Sequence, residues 1–381
     1  MYTNSTTRAL KYGTDGGTRT LKTRILSPIR IPIPSHPLSN LVLTLDQIQQ
    51  VHVELTTRCN ARCPMCLRNF RGVEYNSGYP ITELTLEQFT KILTPAILQQ
   101  LSRGVNFNGN LGDFGLARDA VAIVNFLIEN QVPVHINTNG SIRSADWWQQ
   151  LAQPKVSIAW ALDGLADTHN LHRQDTDWYR VIEHATAFIN AGGRAIWKFI
   201  KFNHNQHQID QCRNMARELG FAAFDLVDQG RNRSPVFTRT GEFTHWIGEP
   251  WTDNTPAVEP MLESLVTWYD AKTIKHAQDT TPLNLNCVHL ATKEIYLAAD
   301  GTVYPCCFLG FYPTTMQHAD NNHIRELVHE NNALEYGLEH AMHWFTKVEQ
   351  TWKQPSIAQG RLYTCVNSCA SRSNGGRVQP L

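Results

Sequence analysis

Glu54-Leu-Thr-Thr-Arg-Cys-Asn-Ala-Arg-Cys-Pro-Met-Cys-Leu-Arg68 places three cysteines, Cys59, Cys63 and Cys66, on one tight loop after the apolar run Val51-His-Val-Glu-Leu55. Three thiolates so spaced can hold three irons of a four-iron, four-sulfur (4Fe-4S) cluster, and no fourth cysteine is nearby. A structural cluster is normally closed by a fourth thiolate. The remaining iron is therefore open to an exchangeable ligand, which points to chemistry. The competing reading is a zinc site or a set of reduced core thiols. Zinc usually takes four ligands in paired two-residue spacings, and buried structural cysteines need no such clustering.

The spacing Cys-x3-Cys-x2-Cys resembles the signature of the radical S-adenosylmethionine (radical SAM) superfamily. The resemblance implies that the amine and carboxylate of SAM chelate the open iron. It further implies one-electron cleavage of the sulfonium to a 5′-deoxyadenosyl radical, fed by a one-electron donor such as flavodoxin or ferredoxin.

The bulk properties set wide bounds. A chain of 381 residues with 42% hydrophobic and 18% charged residues is long enough for one large and one small domain. Lys+Arg and Asp+Glu balance at 34 each, so no global field favours nucleic acid or an anionic membrane. No apolar run reaches the roughly 18 residues of a membrane span. Nine cysteines, an odd number grouped like metal ligands, fit a reducing compartment, and the expected location is cytoplasmic.

Residues 1–45 are turn-rich, with Lys11-Tyr-Gly-Thr-Asp-Gly-Gly-Thr-Arg-Thr20 and Ile29-Arg-Ile-Pro-Ile-Pro-Ser-His-Pro-Leu38 showing no periodicity. The segment resembles peptides read from a transfer-RNA gene. Two readings stand side by side, a misplaced start codon with the true one near Leu41 or Val42, and a disordered arm. No function is assigned to it.

From residue 46 to 240 strand-like and helix-like segments alternate, which gives a parallel sheet with helical crossovers. Expected strands are Val51–Leu55, Gly104–Asn108, Pro133–Asn137, Val156–Leu162, Arg194–Phe202 and Ala223–Val227. Helices are expected over Leu86–Leu101, Ala117–Asn130, Ala145–Leu151, Tyr179–Ala191 (ending at Gly192-Gly193) and Gln206–Leu219. The class is α/β, and the pattern fits the partial (β/α)6 barrel of the radical SAM family. In such barrels the active site lies at the C-terminal strand ends, where the motifs fall.

Asn108-Gly-Asn-Leu-Gly-Asp113 resembles the family's Gly-Gly-Glu-Pro motif, which implies SAM-amine contacts from Gly109, Gly112 and Asp113. Glycine lets backbone approach a ligand closely; the plain alternative is a glycine turn after a strand. Asn139 follows the third strand in Asn137-Thr-Asn-Gly140. Ser157-Ile-Ala-Trp-Ala-Leu-Asp-Gly164 with Asp167-Thr-His-Asn-Leu-His-Arg173 resembles the fourth-strand region of peptide-modifying and related radical SAM enzymes. Ser157 and Asp163 become candidate SAM ribose or carboxylate contacts, and Arg173 a nearby anchor. One of Lys198 and Lys201 is expected to line the cavity. His204 and His207 read as surface residues at a helix start, and Cys212 as a core thiol.

A linker, residues 241–285, precedes a second cysteine group in residues 286–381. Cys287 is followed by Ile295-Tyr-Leu-Ala-Ala-Asp-Gly-Thr-Val-Tyr-Pro-Cys-Cys307, in which Asp300-Gly301 signals a hairpin. This resembles the opening of the twitch and SPASM extensions of radical SAM enzymes. The resemblance implies an auxiliary 4Fe-4S cluster on Cys287, Cys306, Cys365 and Cys369, with Cys307 either substituting or merely adjacent. Zinc on the same thiols is the alternative.

The functional expectation is hydrogen abstraction from a peptide or protein substrate, although the 50 residues before the cluster loop leave no room for a leader-peptide-binding domain. The alternatives are a radical SAM dehydrogenase of a small molecule and a non-catalytic iron–sulfur or zinc scaffold. No catalytic side chain is singled out.

Overall fold

The computed structural model describes residues 43–66, 68, 69, 71–73, 80–227, 234–248, 283–285, 287–311 and 321–372. The N-terminal arm up to residue 42 and residues 249–282 of the expected linker lie outside these. Six strands, β1 (Gln50–Val53), β2 (Gly104–Phe107), β3 (Val134–Thr138), β4 (Val156–Ala161), β5 (Arg194–Ile200) and β6 (Ala223–Val227), pair in parallel in chain order. Each crossover carries a helix: α1 (Leu86–Ile92), α2 (Ala120–Glu129), α3 (Ala145–Gln149), α4 (Trp178–Asn190) and α5 (Ile209–Glu218).

Local chemistry sets the helix ends. Thr85 and Gln88 form a capping box at the start of α1. The single helix expected over Leu86–Leu101 is broken: Pro95 holds Thr94 at an extended ψ of 158°, and a separate turn Pro95–Leu98 begins there. Asp177 caps α4 by accepting from the Tyr179 and Arg180 amides. Gly192, at φ +91°, ends it as the paired glycines foretold.

Strand alternation sorts the two faces of the sheet. Val51, Val105, Ile136, Ile158, Trp160 and Trp197 are buried in the core cluster to which the crossover helices contribute Phe89, Ile123, Leu127 and Phe188. Parallel sheets are usually apolar on both faces. Here the other face carries His52, Asn106, His135, Ser157 and Lys198 at alternate positions. A polar inner face is what a ligand-holding barrel requires.

Past β6, the antiparallel hairpin of β7 (Ser234–Phe237) and β8 (Phe243–Ile247) straddles the expected boundary at residue 240. Its Val236 and Ile247 form a small apolar cluster with Met65 of the cysteine loop, Ile200, Phe202 and Val227. The C-terminal part contributes β9 (Leu283–Leu285), β10 (Glu294–Leu297) and β11 (Val303–Tyr304), then α6 (Cys307–Phe311), α7 (Phe345–Trp352), α8 (Tyr363–Cys369) and β12 (Ala370–Arg372). β10 pairs in parallel with β1, so the sheet has eight strands in the order β11-β10-β1-β2-β3-β4-β5-β6. The expected hairpin is present: Gly301 sits at φ +85° between β10 and β11. Its place is not. The hairpin extends the barrel sheet itself, and β9 pairs with β12 to join the two ends of the C-terminal part. No described helix is long and apolar enough to cross a membrane.

Candidate cluster and SAM site

The cysteine loop leaves β1 at the C-terminal edge of the sheet and is tied down from three sides. The Cys66 amide donates to the Cys63 carbonyl at 2.9 Å, and the Arg62 amide to the Gln174 carbonyl at 2.9 Å. Arg68 donates to the Thr57 and Leu111 carbonyls, linking the loop to the segment after β2. Burial, the Asp113 carboxylate and the neighbouring Cys63 and Cys66 push the Cys59 thiol well above its ordinary range. Burial also raises Cys63, to about 11, although the adjacent Arg173 cation opposes the rise.

Two side-chain N–H donors among the described residues face these sulfurs, beside the Ala61 amide at Cys59. Asn139 Nδ2 lies 3.9 Å from Cys59 Sγ and 3.0 Å from Asn60 Oδ1. Arg173 Nη1 lies 3.9 Å from Cys63 Sγ. Arg173 is in turn fixed by Asp163, which is fully buried. Asp163 Oδ2 accepts from Arg173 Nε at 2.6 Å and from His172 Nδ1 at 2.8 Å, while Oδ1 accepts from the Ile200 amide at 2.7 Å. Burial alone would raise the Asp163 carboxyl, but Arg173 and His172 hold it far below the usual carboxylate range.

The segment after β2 is organised by Glu54. Its Oε1 accepts from the Leu111 and Gly112 amides at 2.5 and 2.9 Å, and its Oε2 accepts from the Tyr296 hydroxyl of β10 at 2.9 Å. The two glycines answer to protein backbone. A Cβ on Gly112 would lie 1.7 Å from the Thr56 carbonyl oxygen, and one on Gly109 would lie 2.4 Å from that of Gly112. Asp113 likewise turns to the protein: Oδ1 accepts from Thr138 Oγ1 at 2.8 Å and the Gly115 amide at 2.9 Å, and Oδ2 from the Asn139 amide at 2.7 Å. It thereby holds Asn139 against Cys59.

The structure thus gathers Gly109, Gly112, Asp113, Asn139 and Asp163 around the cysteine loop or its supports. Ser157 stands apart. It is the second residue of β4, at the end of the strand away from Asp163, and its Oγ lies 2.8 Å from His135 Nδ1. Of the two lysines, Lys198 lines the inner cavity, with its ammonium 3.1 Å from Asn137 Oδ1. Cys212 is a core thiol as expected. His204 differs from its expected surface role: both ring nitrogens are buried without a hydrogen-bond partner among the described residues, and the ring stacks on Phe202. Glu54 and His135 carried no role in the sequence reading. Glu54 was visible as an acid at an otherwise apolar strand end, and His135 as a polar residue alternating with Val134 and Ile136.

The second cysteine group forms its own pocket. Cys287, Cys306, Cys365 and Cys369 line one cavity with Phe345 and Trp352 among its walls. Burial pushes Cys287, Cys306 and Cys365 well above the ordinary thiol range, and neighbouring thiols in the group add to it. Cys307 is not among the lining residues. Its carbonyl accepts from Asn110 Nδ2 at 2.8 Å, a direct tie between the two cysteine regions.

No protein-family model matches the chain, and no curated protein matches it. Several solved structures are similar. SuiB of Streptococcus suis bound to S-adenosylmethionine is 14% identical over 84% of this chain and 77% of its own, with a TM-score of 0.48. The enzyme anSMEcpe with bound AdoMet and the Cp18Cys peptide is 16% identical over 74% of this chain and 84% of its own, with a TM-score of 0.42. TsrM of Kitasatospora setae, a radical SAM methyltransferase with tryptophan substrate and aza-SAM bound, is 9% identical over 49% of this chain and 36% of its own, at 0.38. Similarity at this level decides neither family nor substrate.

Proposed function

We propose that this chain is a radical SAM enzyme that abstracts hydrogen from a peptide or protein substrate. The observation that carries the reading is the convergence of three cysteines, Cys63 buried and Cys59 and Cys66 half-buried, with two sulfur-facing side-chain N–H donors beyond the first strand of a parallel barrel sheet. Cys59, Cys63 and Cys66 fit a 4Fe-4S cluster. Asn139 and Arg173 offer N–H groups toward sulfur, the kind of contact that tunes such clusters. No three Cys, His, Asp or Glu side chains among the described residues group tightly enough for a single metal ion. When bound, such a cluster with SAM on its open iron supplies one-electron cleavage of the sulfonium to a 5′-deoxyadenosyl radical.

The chain's own residues hold and shield. Asp163 fixes the Arg173 guanidinium beside Cys63, and Asp113 fixes Asn139 beside Cys59. Glu54 anchors the Gly109–Gly112 segment next to the loop. The apolar cluster of Met65, Phe202, Val236 and Ile247 keeps bulk water from one side, as a reactive carbon radical needs.

Cys287, Cys306, Cys365 and Cys369 are assigned to an auxiliary 4Fe-4S cluster rather than zinc. All-thiolate ligation suits either metal, and the likeness of the Cys287–Cys307 stretch to the twitch and SPASM extensions supports iron–sulfur. A peptide or protein substrate is supported by the likeness of Ser157 through Arg173 to the fourth-strand region of peptide-modifying radical SAM enzymes. Electrons would come from a donor such as flavodoxin or ferredoxin. Iron analysis after anaerobic reconstitution tests the two assignments. About eight irons per chain are expected, falling to about four when either cysteine set is replaced by alanine. Full iron retention in both variants would refute the ligand sets.

A further inference from the structure

The inner face of the barrel holds a second, small cavity whose lining includes no residue of the cysteine loop. Register places Asn106, His135, Ser157 and Arg194 side by side across β2, β3, β4 and β5. Alternate residues of a strand share a face, so these four form one polar row. Ser157 is buried and Asn106, His135 and Arg194 are half-buried, and polar groups drawn even partly from water are favoured when paired. Most are. His135 Nδ1 lies 2.8 Å from Ser157 Oγ, Asn137 Nδ2 donates to Asn106 Oδ1 at 3.3 Å, and Lys198 donates to Asn137 Oδ1 at 3.1 Å. Arg194 is the exception. It lines the cavity, yet its guanidinium makes no hydrogen bond or ion pair with any described residue.

We propose that this cavity is a binding subsite for a carboxylate carried by the substrate, anchored by Arg194 at the N-terminal end of β5 and flanked by the His135–Ser157 pair. A guanidinium offers five N–H donors in a fork that matches a planar carboxylate. Two cations, Arg194 and Lys198, line the cavity against one carboxylate, Asp225. Asp225 of β6 stands opposite Lys198 in register, and Lys198 lies four residues beyond Arg194 on β5, so the acid offsets the lysine and leaves the arginine end positive. A singly charged carboxylate suits one guanidinium beside neutral partners; a phosphate dianion would meet Asp225 with too few cations. His135 is one of those neutral partners: burial, with the Arg103 and Arg194 cations, pushes it down to about 4.

The identity of the occupant rests on the peptide reading above; the subsite itself does not depend on the cluster. A peptide presents carboxylates as acidic side chains or as its C-terminus. The test is saturation-transfer NMR on the full-length, anaerobically reconstituted chain with three probes: N-acetyl-glutamate N-methylamide, N-acetyl-alanine, and neutral N-acetyl-glutamine N-methylamide. At least tenfold tighter binding of one carboxylate probe than of the glutamine probe is expected, and whichever acid binds tighter identifies the source. Arg194→Gln should abolish the preference and Arg194→Lys should keep part of it. A preference unchanged in Arg194→Gln, or equal binding of acid and amide, overturns the subsite. Replacing Cys59, Cys63 and Cys66 by alanine should leave the preference in place. Absence of SAM cleavage in the wild type with the preference intact would therefore sink the catalytic reading alone.

Discussion

Asp163→Ala removes the acceptor that fixes Arg173 and ties β4 to β5. In the wild type the carboxylate is fully buried and accepts from Arg173 Nε, His172 Nδ1 and the Ile200 amide. Truncation leaves a guanidinium, itself mostly buried, without its counter-charge, and an amide donor without an acceptor. Breaking a buried pair from one side costs about 3–5 kcal/mol. For a chain of this size, at about 2.1 cal/mol/K of unfolding entropy per residue, that corresponds to a drop of roughly 4–6 °C in Tm. Scanning calorimetry at one fixed rate, on wild type, Asp163→Ala and Asp163→Asn, measures it. Asn keeps an acceptor oxygen but no charge, so it should fall between the two. The pH dependence has a definite sign. The folded carboxyl is held below its unfolded value, so its contribution is fully present above about pH 4 and is lost as pH falls below that. The gap between wild type and Asp163→Asn should therefore narrow on acidification. A Tm within about 1 °C of wild type for Asp163→Ala, less than a single kcal/mol at that scaling, would refute the buried-hub account.

Three further outcomes follow from the supports of the site. Glu54→Ala strands the Leu111 and Gly112 amides and the Tyr296 hydroxyl. At about 1–3 kcal/mol per orphaned buried group, hydrogen exchange across residues 109–113 should speed up by tenfold or more, and unchanged protection would contradict the anchoring role. Gly112→Ala places a Cβ 1.7 Å from the Thr56 carbonyl oxygen. It should therefore shift the loop and reduce iron retained at the first cysteine set, which iron analysis reads directly. Cys307→Ala should leave iron content at the wild-type level, while Cys306→Ala should lower it, because only Cys306 lines the cavity with the other three thiols.

Local periodicity carried much of the barrel: all six parallel strands and the crossover helices fall where the apolar spacing put them, to within a few residues. The misses were non-local or stereochemical. Pro95 split a helix whose apolar spacing ran straight through it. β10 joined β1 because strand pairing across more than 240 residues leaves no trace in either segment alone. The site shows the same division. Cysteine spacing marks ligands without any fold, since the chemistry demands sulfur at short range. Gly112 and Asp113 showed their residue types but not their partners, and those partners, Thr56 and Asn139, come from other loops. Arg194 opened a strand after two glycines, and nothing local marked it as lining a cavity.

The central claim is that three cysteines on one loop support SAM cleavage. The direct test is anaerobic reconstitution with iron and sulfide, addition of dithionite and SAM, and quantitation of 5′-deoxyadenosine. Deoxyadenosine from the wild type, and none from the Cys59→Ala, Cys63→Ala, Cys66→Ala variant, is the predicted result. Iron-loaded wild-type protein that forms no deoxyadenosine would contradict it.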